Sequence, residues 1–364
     1  MSEPQIAPLP ADPRLWLPEN MWGWVNDIKP LIKAGSCIGG RTLIMLDATS
    51  VRRPILVRFA RPSLVAARGY SWENHISDEM AQIEFQADRI VISVVHSLDP
   101  VLLARLVPVA GMVRLADMQM GSNRTGTAPI SLGDGDWGQD CLAFASQRQS
   151  PWLVPDPYFV LTQGYAGEKD EIARVAKPWS GRRSQVYWRG APSGLQKYED
   201  HLQSQRVRLI LRAANSANQD RFNVRFAGLG GMDAEVADEV RRIGGDGPRE
   251  PQMDILEYCY NVDVDGWSCA WTGYFIKLLA GSPVLKITSD RGFRQWYYDR
   301  LEPWRHFVPV AQDLTDLELA VNVLAARPDW AEEIGEHGKA FAQTLNFAEQ
   351  LELAGKVIAT FTNR

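Results

Sequence analysis

The 364-residue sequence has few of the residues that build disulfide frameworks and zinc sites. Its cysteines lie far apart, at Cys37, Cys141, Cys259 and Cys269, and none forms a C-x-x-C pair. Its five histidines form no H-x-x-x-H or H-E-x-x-H arrangement. The sequence therefore encodes neither a zinc knuckle nor a disulfide scaffold, and it disfavours a zinc hydrolase. The scattered cysteines are typical of reduced thiols in a cytoplasmic protein.

Three further absences concern where the protein acts. No run of about 18 apolar residues is present, so no membrane span is expected. The first twenty residues, MSEPQIAPLPADPRLWLPEN, lack the basic and apolar regions of a signal peptide, which predicts a cytoplasmic location. A formal net charge of −5 provides no basic field for nucleic acid. The aromatic and basic segment 179-WSGRR-183 allows peripheral contact with the inner face of a membrane, although a solvated loop explains it more simply.

The sequence does contain a regular alternation of short β-branched segments and longer amphipathic ones. This alternation predicts an α/β protein with helices covering parallel sheets. Pro, Gly, Ser and charge cluster in 177-KPWSGRRS-184, which predicts a domain boundary. The expected strands are Thr42–Leu46, Ile55–Phe59, Ile90–Val95, Val113–Ala116, Leu142–Ala145, Val186–Trp188, Val224–Ala227, Tyr260–Val264, Val284–Ile287 and Phe307–Val310.

Two Rossmann-like domains that face a central cleft are the simplest architecture for this pattern. We expect an N-terminal domain over residues 1–180 and a C-terminal domain over residues 181–345. A final helix over residues 346–364 is expected to cross back to the first domain. In open parallel sheets, ligands bind beyond the carboxyl ends of the strands, where the strand order reverses.

The first candidate ligand site is the turn in 186-VYWRGAPSG-194. Arg189 offers a bidentate charge to phosphate oxygens, and Gly190 lets the backbone approach a ligand. Ser193 is able to cap the next helix or to donate a hydrogen bond, and Arg206 on that helix faces the same pocket or solvent. The segment lacks a Walker lysine and the dinucleotide glycine spacing. A phosphate-binding turn and an ordinary strand-to-helix turn therefore both remain open.

The second candidate site is 261-NVDVDGWSCAWTGYFIKLLAGSPVLKI-287, where a strand, a turn, a helix and another strand are expected in that order. Asp263 and Asp265 are two residues apart on a strand, so their side chains share one face and suit a metal ion. Alternatively, the turn and the helix N-terminus hold the phosphates of a nucleotide through free N–H groups. Besides Asp265, the residues of this second interpretation are Gly266, Trp267, Ser268, Thr272 and Gly273. A helix cap is expected at Ser268 or Thr272.

Two acidic residues in the N-terminal half are candidates for a general base. Asp117 ends the predicted strand in 113-VRLAD-117, and Asp156 lies near Tyr158 in 152-WLVPDPYF-159. An aspartate at a strand end that faces a cleft is able to accept a proton from a substrate hydroxyl. A capping or turn-forming role is the alternative for each. The thirteen tryptophans serve core packing or stack on sugar rings.

Two C-terminal segments, 258-YCYNVDVDGWSCAWTGYFIKLLAGSPVLK-286 and 303-PWRHFVPVAQDLTDL-317, resemble glycosyltransferase family 90. That family includes bacterial lipopolysaccharide-core glycosyltransferases, fungal capsule xylosyltransferases and animal protein O-glucosyltransferases. The segments 187-YWRGAPSG-194 and 152-WLVPDPYF-159 are also similar to family segments. The resemblance is collinear over residues 110–345, and it is most specific in the C-terminal block.

The resemblance implies a GT-B architecture, a UDP-sugar donor held mainly by the C-terminal domain, and inverting transfer that needs no metal or other cofactor. It implies that Asp117 is the base and that Arg189 contacts the donor phosphates. Asp156 and Tyr158 are placed at the acceptor or as an alternative base. The expected acceptor is a glycan or glycolipid, such as lipopolysaccharide core, at the inner face of a bacterial membrane.

The sequence departs from this family pattern at two places. Animal members have an arginine shortly after the glycine that Gly266 matches, whereas Trp271–Tyr274 contains no cation. A lysine of the family is replaced by Cys259. Two alternatives therefore stay open: a metal-dependent transferase that uses Asp263 and Asp265, and a non-catalytic member that binds carbohydrate.

Overall fold

The computed structural model describes residues 42–47, 53–60, 79–95, 100–121 and 124–364. The chain divides into two compact units. The first unit contains the described residues up to Gly164 together with Arg294–Trp296 and Asn346–Arg364, and the second contains Tyr165–Phe293 and Tyr297–Leu345. The predicted domain bounds of 1–180, 181–345 and 346–364 stay a prediction.

Numbered in chain order over the described residues, the strands are β1 Thr42–Asp47, β2 Ile55–Ala60, β3 Met80–Phe85, β4 Ile90–Val95, β5 Gly126–Ser131, β6 Arg183–Gly190, β7 Phe222–Ala227, β8 Asp246–Gly247, β9 Tyr258–Asp263, β10 Val284–Ile287 and β11 Val308–Val310. The helices are α1 Pro100–Ala104, α2 Leu106–Met120, α3 Pro157–Leu161, α4 Ala166–Val175, α5 Gln205–Ala214, α6 Ala234–Arg242, α7 Trp271–Leu279, α8 Leu317–Ala326, α9 Pro328–Thr344 and α10 Phe347–Thr362. Among these described elements, no helix is long and apolar enough to cross a membrane.

The sheet of the first unit has the strand order β1-β2-β4-β3-β5. Only β2 and β4 pair in parallel among these described strands, and the other neighbours are antiparallel. The prediction of a parallel, Rossmann-like sheet is therefore wrong for this unit. The connection from β3 to β4 is the short turn 86–89, closed by a 2.9 Å hydrogen bond from the Gln86 N–H to the Arg89 carbonyl. A turn of this length permits only antiparallel pairing, because a parallel pair needs a long crossover.

The segment predicted as the strand Val113–Ala116 lies inside helix α2, so that prediction is wrong. Its apolar residues lie on a helix that is buried over most of its surface, and periodicity alone does not distinguish such a helix from a buried strand. Helix α10 packs against α2 within the same unit. A Cβ atom at Gly355 of α10 would lie 3.0 Å from the Leu115 Cβ, so the two helices approach closely. The predicted strand Leu142–Ala145 is also wrong, since only isolated bridges form there.

The sheet of the second unit has the order β11-β10-β9-β6-β7-β8, and all of its neighbouring strands are parallel. Counted within this unit, the order is 3-2-1-4-5-6, which is that of the doubly wound nucleotide-binding fold. The prediction of a Rossmann-like parallel sheet is confirmed here. The strand order reverses between β6 and β9, so the expected ligand crevice lies beyond the carboxyl ends of these two strands.

Burial on both faces explains why these strands are almost continuously apolar. Every residue of β9 and of β10 is buried, including the charged side chains of Asp263 and Lys286. Helix α5 covers the sheet with Val207, Ile210 and Ala213. The two charged residues are thus placed in the interior by strands whose other side chains form the core.

The segment expected to contact a membrane begins with a single 3₁₀ turn, Trp179–Gly181. Trp179 is half-buried and packs edge-on against Tyr260, with 6.0 Å between the ring centroids. Arg182 donates a 2.6 Å hydrogen bond to Ser282. These two side chains are held within the second unit, and peripheral membrane contact stays a prediction.

Candidate functional site

A cleft of about 640 Å³ lies in the second unit, beyond the carboxyl ends of β6 and β7. Residues from the turn after β6, the loop after β8 and the first turns of α7 line it. Ligands of such folds bind at the carboxyl ends of the strands, and the helix that follows β9 brings the cleft next to the reversal between β6 and β9. Its polar lining includes Tyr187, Arg189, Arg249, Glu250, Gln252 and Lys277.

Arg189 lies in the cleft, as predicted, but its guanidinium group already has protein partners. Its Nη2 donates to Asn223 Oδ1 at 2.8 Å, and its Nε lies 3.1 Å from Glu250 Oε2. The group also lies over the Tyr187 ring, 5.0 Å from the centroid. The charge of Arg189 is therefore largely compensated by Glu250. Glu250 was missed from the sequence, although the charged triplet 248-PRE-250 in a loop after a strand was a possible signal.

Arg206 joins the turn after β6 to the turn after β9. Its Nε donates to the Asp265 carbonyl at 2.9 Å, and its Nη1 donates to the Ala191 carbonyl at 2.6 Å and to Ser193 Oγ at 2.7 Å. Burial lowers the pKa of Arg206 to about 10, so the group stays charged at neutral pH. Arg206 thus links the two turns by hydrogen bonds. One of these bonds engages the Ser193 hydroxyl.

The glycines of these turns are required by close packing. Gly194 has φ +79°, and a Cβ atom there would lie 2.4 Å from the Gly266 carbonyl oxygen. A Cβ atom at Gly266 would lie 2.5 Å from Ser193 Oγ, and one at Gly190 would lie 2.4 Å from the Trp188 ring. Gly190 also lines the cleft, and its role in allowing a ligand to approach stays a prediction.

A buried ion cluster lies beneath the turn that follows β9. Asp263 is fully buried and accepts from Lys277 Nζ at 2.9 Å and from Lys286 Nζ at 2.7 Å. Lys286 also donates to Asp265 Oδ1 at 2.9 Å. One ammonium group thus contacts both aspartates, although β9 ends at Asp263 and Asp265 lies beyond the strand. In the sheet register, Lys286 of β10 is the neighbour of Asp263 in β9.

The pairing in this cluster shifts the pKa values of Asp263 and Lys286. Burial alone would raise the pKa of Asp263, but the ammonium groups of Lys277 and Lys286 outweigh it and hold this pKa below the usual range. Burial would lower the pKa of Lys286, but Asp263 and Asp265 hold it well above the usual range. Asp263 is thus held ionised and Lys286 is held protonated, whereas burial lowers the pKa of Lys277.

This pairing bears on the metal-site interpretation of Asp263 and Asp265. Each oxygen of Asp263 accepts from a lysine, so a metal ion would have to displace both ammonium groups. Within the part of the chain that the structure describes, no group of three or more His, Cys, Asp or Glu side chains could hold a metal ion. Pairing with lysine accounts for both carboxylate oxygens of Asp263 and for Oδ1 of Asp265. The sequence feature that indicates this ion pairing is the lysine in the apolar run 284-VLKI-287, because a buried ammonium group needs an acidic partner.

Helix α7 begins at Trp271, after Ala270, without a side-chain cap. The expectation that Ser268 or Thr272 caps it is wrong: Ser268 is buried before the helix, and Thr272 interacts with Tyr165 at 3.1 Å. Gly273 lines the cleft, whereas Trp267 is 39% exposed. The predicted stop at Gly281 is confirmed, since its φ is +70° just beyond the end of the helix.

Asp117 lies in the first unit and on helix α2, not at the end of a strand. Its Oδ1 accepts from Arg53 Nε at 2.8 Å and its Oδ2 accepts from Arg114 Nη1 at 2.9 Å. All three side chains are buried. The prediction that Asp117 ends a strand is therefore wrong. Its carboxylate belongs to an internal ion network, and its role as a base stays a prediction.

Asp156 caps the N-terminus of helix α3. Its Oδ1 accepts from the backbone N–H groups of Tyr158 and Phe159, each at 3.0 Å, and the residue is fully buried. The capping alternative is thus confirmed for Asp156, as expected for an aspartate that precedes a proline at the first helical position. The side chain of Tyr158 is exposed.

Comparison with known proteins gives a family match that lies mostly on the second unit, which contains the cleft. Residues 168–352, just over half of the chain, match the model of glycosyl transferase family 90. Protein O-glucosyltransferase 3 of Homo sapiens is 35% identical over 93 residues, which cover 26% of this chain and 18% of the human protein. Protein O-glucosyltransferase 2 of Danio rerio is 26% identical over 167 residues, covering 46% of this chain and 30% of that protein.

A third relative, protein O-glucosyltransferase 1 of Rattus norvegicus, is 24% identical over 175 residues. The match covers 48% of this chain and 40% of the rat protein. This chain thus spans less than half the length of each of these relatives. The family match begins within helix α4 and includes both turns that meet at Gly194 and Gly266.

Proposed function

This chain belongs to glycosyl transferase family 90, and from that membership we propose that it transfers a sugar from a UDP-sugar to a hydroxyl group of a glycan or glycolipid. The observation that carries the proposal is the cleft at the strand-order reversal of a 3-2-1-4-5-6 parallel sheet, lined by Arg189, Arg249 and Lys277. Sheets of this topology bind nucleotides at this edge, and cationic side chains favour a diphosphate. In this proposal, the second unit binds the donor.

In the proposed reaction, the acceptor oxygen attacks the anomeric carbon of the donor and the configuration inverts. The acceptor proton passes to a base, for which Asp117 remains the prediction, and the bonding electrons leave with the UDP oxygen. Negative charge builds up on the departing diphosphate, so an uncompensated cation in the cleft would stabilise the transition state. Helix α7 begins beside the cleft, and the partial positive charge of its N-terminus adds to this field.

The names of the relatives describe glucose transfer to proteins. For this chain we propose instead a glycan or glycolipid acceptor, such as lipopolysaccharide core, at the cytoplasmic side of a membrane. The support for this finer assignment is the similarity of 152-WLVPDPYF-159 to bacterial family members.

The test is to incubate the purified protein with a panel of UDP-sugars, with and without EDTA, and to measure donor binding by calorimetry and UDP release. We expect one donor to bind and to be turned over or hydrolysed slowly in EDTA. If no nucleotide sugar binds, the proposal is wrong. Activity that disappears only in EDTA would favour a metal-dependent transferase, and binding of free glycans without UDP would favour a carbohydrate-binding protein.

A further inference from the structure

Three cationic side chains line the cleft, and they differ in what they already bind. Arg189 is held by Glu250 and Asn223, so its charge is compensated within the protein. Lys277 pairs with the fully buried Asp263, and burial lowers the pKa of this lysine. Arg249 forms no hydrogen bond, ion pair or ring contact with any residue in the described part of the chain. We infer that Arg249 is the side chain that binds the donor phosphates in this cleft.

This inference rests on the proposed function and assigns the phosphate contact to a residue that sequence motifs do not single out. Arg249 is exposed, so moving its guanidinium group onto a ligand breaks no existing interaction. A guanidinium group binds two phosphate oxygens at once, and such charge-assisted hydrogen bonds are among the stronger ones in proteins.

Glu250, the residue after Arg249, holds this part of the loop at the cleft. Glu250 accepts a 2.7 Å hydrogen bond from the Tyr187 hydroxyl and pairs with Arg189, and both of these partners lie on β6. The loop after β8 is thereby anchored directly after Arg249. The pair formed by Arg189 and Glu250 thus positions the loop, and the unpaired Arg249 is left to bind the ligand.

Removing the guanidinium should weaken binding of phosphate groups and not of the nucleoside. We therefore compare the affinity for UDP with that for uridine, which has no phosphate, in the wild-type protein and in Arg249→Ala and Arg249→Lys. We expect Arg249→Ala to weaken UDP binding about 10-fold or more and to leave uridine binding unchanged. Arg249→Lys should keep part of the UDP affinity, because the charge remains but the bidentate geometry is lost.

The matched control is Arg242→Ala, which removes an exposed arginine that pairs with Glu239 on helix α6 of the same unit. It should bind UDP like the wild type. UDP affinity in Arg249→Ala equal to that of the wild type would overturn the inference and leave the proposed function standing. Failure of the wild-type protein to bind any uridine nucleotide would overturn both. A thermal midpoint equal to that of the wild type shows that Arg249→Ala is folded.

Discussion

Replacing Lys286 by methionine tests whether the buried ion cluster holds the second unit together. The substitution keeps the length and apolar stem of the side chain but removes the ammonium group between Asp263 and Asp265. Lys277 then remains as the neighbour of Asp263, and Asp265 loses its bond to Lys286. Removing one partner from a buried ion pair costs about 3–5 kcal/mol, because the remaining charge stays buried without compensation.

The measurement is urea unfolding followed by tryptophan fluorescence and circular dichroism. With a slope of about 2 kcal/mol per molar urea, a loss of about 3–5 kcal/mol lowers the unfolding midpoint by about 2 M. The control is Lys339→Met, which removes a partly exposed lysine that lies 3.5 Å from Glu336 at the surface. It should cost less than about 1 kcal/mol. A shift for Lys286→Met as small as that of this control would refute the reasoning.

The pH dependence gives a second readout on the same variant. The pKa of Asp263 in the folded protein lies below its usual value, so its stabilising contribution is present above the unfolded-state pKa and is lost as the pH falls through the folded pKa. Without Lys286, burial and the neighbouring Asp265 should raise the pKa of Asp263. We therefore expect the stability gap between wild type and Lys286→Met to narrow as the pH falls below about 5. A gap independent of pH would contradict this mechanism.

Three further substitutions have expected outcomes. Gly194→Ala combines a positive φ with a 2.4 Å backbone overlap and should lower the thermal midpoint more than Gly228→Ala, where φ is +91° but no atom lies within 4 Å. Asp117→Asn should lower the unfolding free energy by about 3–5 kcal/mol, because two buried arginines lose their carboxylate partner. If Asp117 is also the base, the variant should lose sugar transfer and still bind UDP. Asp156→Ala removes the cap of α3 and should cost about 1–2 kcal/mol in denaturant unfolding, similar to Asn346→Ala at the cap of α10. Full stability of Asp156→Ala would contradict the capping role.

Much of the second unit was predictable from the sequence because the information is local. The expected strands Val186–Trp188, Val224–Ala227, Tyr260–Val264 and Val284–Ile287 all overlap strands of the sheet. A strand covered on both faces has to be apolar throughout, and such runs are visible without knowledge of their neighbours. The stop at Gly281 is local as well, because a positive φ after a helix favours glycine.

The first unit was harder to predict for a physical reason. The residues of α2 are apolar on nearly all sides, and a short buried segment of this kind fits a helix or a strand equally well. Strand β3 was not expected, so the short turn that makes its pairing with β4 antiparallel was not recognised. The choice of Asp117 as a strand-end residue followed from the first of these errors.

The sequence by itself determined which segments carry the candidate chemistry: the turn with Arg189, the stretch from Asp263 to Gly273, and the resemblance to glycosyltransferase family 90. Only the tertiary structure decided what each charge binds. Arg189 meets Glu250 61 positions along the chain, and Lys286 meets Asp263 23 positions away. Whether a charged side chain is paired within the protein depends on its neighbours in space, and these are not visible in the sequence. Contacts between residues so far apart in the chain leave no periodic pattern in the sequence. The lack of a partner for Arg249 among the described residues is therefore recognised only once the partners of Arg189 and Lys277 are known.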